Sequence, residues 1–68
     1  MNELKFQRIT GYSIDECVSR LNEKIQDGEI TKKNVISINW RVLPSDQREK
    51  RQDGKETHEE LSIFYWGN

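Results

Sequence analysis

The sequence predicts an α+β fold in the order β-α-β-β: three mostly antiparallel strands with one amphipathic helix across one face. Three observations carry that prediction. A capped stretch with apolar residues at spacings of three and four lies between two stretches of alternating polarity. A polar segment with "DG" near its middle separates the second alternating stretch from a third. The whole spans 68 residues, room for a single domain, 1–68, and no second one.

The first strand falls at about residues 3–9, where Leu4, Phe6 and Ile9 supply the apolar positions before "TGY" interrupts them. The helix follows over about 14–27. Ser13 is an N-cap with Glu16 three positions on, a capping box, and Tyr12 and Cys17 are spaced for a hydrophobic staple. Asp15 and Glu16 suit the positive end of the helix dipole. Ile14, Cys17, Val18, Leu21 and Ile25 then form one apolar stripe, and Gly28 ends it as a C′ residue.

The second strand, about 35–43, is "VISINWRV" extended by one residue. Ile36, Ile38, Trp40 and Val42 share one face and Ser37, Asn39 and Arg41 the other, until Pro44 closes it. A polar loop over 44–57 leads to the last strand, about 58–66. There Leu61, Ile63 and Tyr65 fill one face while Phe64 and Trp66 fill the other. Strands apolar on both faces are covered on both faces. One face of "LSIFYW" meets the helix; the other needs a partner from outside the chain. The strand order stays open. Inserting the last strand between the other two makes the sheet wholly antiparallel, whereas neighbouring first and second strands run parallel through a right-handed crossover.

Composition narrows the function. Eleven basic and twelve acidic residues give a net charge of −1, which argues against nucleic acid and anionic membrane as partners. One cysteine and one histidine fall short of a structural zinc site, and Cys17 has no disulfide partner. The lone thiol and an N-terminus without the pattern of a signal peptide point to the cytoplasm, of a bacterium or of a virus-infected cell. No apolar run approaches the roughly 20 residues that span a bilayer. So short a chain buries only about 60% of its unfolded surface. With disulfide and metal set aside, homo-oligomerisation is the expected supplement.

No side-chain cluster suggests an enzyme. The loop holds Arg48, Lys50, Arg51 and Lys55, but Asp46, Glu49, Asp53 and Glu56 cancel them, so it reads as a solvated connection. His58 beside Glu59 and Glu60 reads as solvated charge at the start of a strand, because nothing else converges there. Cys17 lies on the buried stripe as a small core hydrophobe, and Ser13 is accounted for as a cap. The aromatic group Trp40, Phe64, Tyr65 and Trp66 has more to offer. Core or subunit interface is its plain reading, with Phe64 and Trp66 as the interface pair. As a stacking surface, with Arg41 and Asn39 nearby, it suits a planar anionic ligand.

The segments "GYSIDECVSRLNEKI", "VISINWRV", the loop "DG" and "HEELSIFYW" resemble the layout of dodecins, small β-α-β-β flavin-binding proteins that assemble into hollow dodecamers. The resemblance covers nearly the whole chain. It implies a flavin stacked on the second-strand tryptophan, here Trp40. The family bonds the ring through a glutamine just before the apolar part of the last strand, where this chain has Glu60, an acceptor without the amide donor. The chain equally resembles short β-α-β-β accessory proteins of phages and spore-forming bacteria. The expectation is a non-enzymatic oligomer holding a planar aromatic ligand, flavin or nucleotide, at a subunit interface. Its ligand-binding residues are Trp40, Trp66, Arg41 and Glu60. The alternative is a phage-type module that binds and inhibits a partner enzyme through the C-terminal aromatic strand.

Overall fold

In the computed structural model, which describes residues 3–67, the chain runs β1 (Glu3–Gly11), α1 (Ile14–Gln26), β2 (Val35–Val42), a 3-10 turn at Ser45–Gln47 and β3 (Glu59–Gly67). The three strands form one sheet of order β1-β3-β2 with both pairings antiparallel. β3, the strand with apolar residues on both faces, takes the centre. A central strand gains two hydrogen-bonded neighbours and two lateral packing partners, so the most apolar segment loses the most water there.

The helix is bounded as its sequence dictates. Ser13 Oγ accepts from the Glu16 backbone N–H at 3.2 Å. The return bond of the box is displaced by one residue: Glu16 Oε1 accepts from the N–H of Tyr12 rather than Ser13. At the other end Gly28 adopts a left-handed φ of 78°. Its N–H reaches the carbonyl of Ile25 and that of Glu29 reaches Lys24, a Schellman closure. Gly11, where β1 leaves for the helix, is needed for a different reason. A Cβ there would lie 2.9 Å from Glu16 Oε1 and 3.1 Å from Cys17 Sγ.

The core is small. Ile9, Cys17, Leu21, Ile30, Leu61, Ile63 and Tyr65 form it, with Val35 packed against its side. Leu61, Ile63 and Tyr65 thus face the helix, and Phe64 and Trp66 face away. The helical stripe is only half used. Cys17 and Leu21 are buried, while Ile14, Val18 and Ile25 stay about 40% exposed. The cause is the helix's position: it packs on β1 and β3, and among the described residues no helix Cα comes within 8 Å of a β2 Cα.

The segment read as a solvated loop is more organised than that. Thr57 and Glu49 exchange hydrogen bonds, and Lys50 bridges Glu56. A turn at Arg51–Gly54, with Gly54 at φ 85°, closes the small hairpin. Arg51 bonds the Glu16 carboxylate, and Lys55 lies 4.0 Å over the Tyr12 ring, so the hairpin docks on the start of the helix. Tyr12 therefore serves this contact, where the sequence suggested a staple. Among the described residues no helix is long and apolar enough to cross a membrane.

Candidate functional site

Side chains alternate along a strand, so the pairing register states which residues share each face. On the face away from the helix lie Leu4, Phe6, Arg8 and Thr10 of β1, Glu60, Ser62, Phe64 and Trp66 of β3, and Ser37, Asn39 and Arg41 of β2. This open face has two halves. At one end Leu4, Phe6, Phe64 and Trp66 are all exposed, with the Phe6 and Phe64 rings 5.0 Å apart and tilted by 51°. Tilted contact at that separation is the favoured aromatic geometry.

The other half is charged. Glu60 is 4% exposed, which is unusual for a carboxylate. Its oxygens are both engaged: Arg8 Nε donates to one, and Arg41 Nε donates to the other at 2.9 Å, with Ser62 Oγ at 3.4 Å. Arg41 Nη2 also donates to Gln47 Oε1 at 2.8 Å. The arginine hydrogen bonds, that of Arg41 first, outweigh burial and hold the Glu60 carboxyl below the usual range.

The four ligand-binding residues expected from sequence do not come together within the chain. Trp66, Arg41 and Glu60 share the open face, but six residues of strand, roughly 20 Å, separate Trp66 from the Glu60–Arg41 end. Trp40 is on the opposite face, paired with Leu61. It is 59% exposed there and so free to stack, with its Nε1–H held by Glu59 Oε1 at 2.8 Å. Glu60, buried with an arginine on each oxygen, positions Arg8 and Arg41. Phe6 and Arg8 are the residues that sequence reading passed over. Their signal was the alternation Leu4-Phe6-Arg8-Thr10, which sets both on the Phe64 face.

The helix side of the sheet carries a second uncovered surface. Ile38, Trp40 and Val42 line its floor along β2, each more than half exposed. Arg20, Glu23 and Lys24 line a recess with Gln7–Thr10 at the outer edge of β1. The opposite helix flank, Ile14, Val18 and Ile25, therefore overlooks β2 as the wall of an apolar trough.

Burial, then the Glu59 carboxylate, pushes the Cys17 thiol up, and Cys17 Sγ donates to the Glu59 carbonyl. His58 stands 3.6 Å from Glu56, while Glu59 and Glu60 point to opposite faces. Among the described residues no three His, Cys, Asp or Glu side chains gather as metal ligands. Compared with models of protein families, with curated proteins and with solved structures, the chain matches none of them.

Proposed function

We propose that the chain is a non-enzymatic, homo-oligomeric binding module that holds a planar aromatic ligand, a flavin or a nucleotide, between subunits, as dodecins do. The observation that supports this best is the aromatic platform of the open face, where exposed Phe6, Phe64 and Trp66 adjoin Arg8. Stacking on such side chains contributes about 1–3 kcal/mol per base and tolerates different rings. Arg8 gives its Nε to Glu60 and has further N–H groups for an anionic substituent.

The platform of one subunit is flat, and small ligands are held in concave sites. A ring is enclosed only when a second subunit closes over it, and a ligand touching both Trp66 and Trp40 spans two subunits. The test is a native mass spectrum of gently purified protein. The expected result is a multiple of the 8.1 kDa chain carrying an ultraviolet-absorbing small molecule, which Trp66→Ala reduces or removes. A bare 8.1 kDa monomer overturns the reading.

The same flatness favours one other reading, a protein-interaction module whose C-terminal aromatic strand covers a partner enzyme. Such a protein purifies without a small molecule and gains thermal stability only with its partner.

A further inference from the structure

We propose that two copies of the chain join edge to edge through β2. The product is a continuous six-stranded sheet, β1-β3-β2-β2′-β3′-β1′, with both helices on one face. The proposal rests on the self-association put forward above and adds a contact at the sheet edge, distinct from the one over the open face.

The edge is available. Leu43 N–H donates to the His58 carbonyl at 2.8 Å, so by alternation the backbone groups of Leu43, Arg41 and Asn39 turn towards β3. Those of Val42, Trp40 and Ile38 turn outward, with no strand beside them in the sheet. The edge is also undefended. Soluble proteins blunt open edges with lysines, prolines, bulges or a covering element. β1, the other edge, carries Glu3, Lys5 and Arg8. β2 carries Arg41 alone, drawn inward onto Glu60 and Gln47. Its bulge lies at its start, between Val35 and Ser37, and leaves Ser37–Val42 regular. The helix packs on β1 and β3 and leaves Ile38, Trp40 and Val42 exposed.

The occupant is a second copy because the surface is complementary to itself. Antiparallel pairing about a two-fold axis sets Ile38, Trp40 and Val42 against the same three residues of the partner. Aromatic and β-branched side chains make favourable cross-strand pairs, and none of the three is charged, so no like charges meet on that face. Ile38, Trp40 and Val42 are each more than half exposed in the single chain, so the pairing brings uncovered apolar side chains together along the seam. Face-to-face stacking is disfavoured by the helix itself, whose outer side presents Asp15, Ser19, Asn22 and Glu23.

Hydrogen exchange and light scattering test the pairing on the wild-type protein. The amides of Ile38, Trp40 and Val42 are expected to be protected alongside those of Asn39, Arg41 and Leu43, and the mass to be at least twice 8.1 kDa. Ile38→Pro removes an outward N–H that the monomer does not use. It is expected to abolish the protection at Trp40 and Val42 while the helical circular dichroism remains. Ile38→Lys should do the same, and decides the matter if the proline variant fails to fold. Trp66→Lys, on the open face, should leave the β2 protection intact. Fast exchange at Ile38, Trp40 and Val42 in an oligomeric wild type overturns the β2 pairing and leaves self-association through another face. A wild-type monomer overturns both.

Discussion

Glu60→Gln is expected to lower stability by about 1–2 kcal/mol at neutral pH. The carboxylate lies near the start of the central strand, buried, with one arginine Nε on each oxygen. A glutamine keeps one acceptor and turns an amide N–H towards the other guanidinium. A hydrogen bond to a charged group contributes about 1.5–3 kcal/mol. The Arg8 and Arg41 side chains are 48% and 51% exposed, so a released guanidinium returns to water and the loss falls at the low end. In a domain of this size each 1 kcal/mol moves the Tm by about 4–8 °C, well within the reach of a circular dichroism melt at fixed protein concentration.

The pH dependence identifies the cause. The folded pKa of Glu60 is lowered, whereas the unfolded carboxyl titrates near about 4.3. The stabilisation is therefore whole above that pH. It is lost as the pH falls towards the lowered folded value, because the unfolded state takes up the proton first. Melts of wild type and Glu60→Gln should differ at neutral pH and draw together in acid. A gap that is the same at both ends refutes the two-arginine clamp, and no gap at neutral pH refutes the burial.

Two positions on the helical stripe should separate. Leu21→Ala is expected to cost about 2–5 kcal/mol, most of the stability of a chain this short, and Val18→Ala under about 1 kcal/mol; equal shifts in urea midpoint refute the placement of the helix over β1 and β3. Ser13→Ala should cost about 1 kcal/mol through the lost cap bond to Glu16, and an unchanged midpoint shows that the cap contributes nothing. At Glu16, burial raises the carboxyl, but the bonds from Arg51 and Tyr12 outweigh it and leave the pKa lowered. Arg51→Gln should therefore raise the Glu16 pKa in an NMR titration and speed amide exchange at Glu49 and Thr57 while the sheet stays protected. Unchanged exchange at both amides refutes the docking of the hairpin.

Local chemistry was legible in the sequence because it acts over a few residues. The Ser13 cap, the Gly28 terminus and the alternation of "VISINWRV" and "LSIFYW" depend on neighbours in the chain, and the β-α-β-β order with its helix follows from them. The two faces of β3 were legible for the same reason: a period of two leaves one choice, and the choice with Leu61, Ile63 and Tyr65 inward buries more. Pairing between distant segments was not. β3 between β1 and β2 joins residues more than fifty positions apart, as in Phe6 with Phe64, and no local pattern ranks that against a parallel crossover.

Tertiary structure alone decided what the apolar residues are for. Periodicity shows that Ile14, Val18, Ile38 and Trp40 lie on apolar faces, but not whether anything in the same chain reaches them. A single helix is about 10 Å wide, and strands lie about 4.8 Å apart, so it shields two strands and leaves the third. Because it settles over β1 and β3, Leu21 became core while Val18 and Trp40 became surface. The buried Glu60 has the same origin. Arg8, Arg41 and Glu60 come from three strands, and they meet only because the register sets Thr10, Glu60 and Arg41 in one row across the sheet.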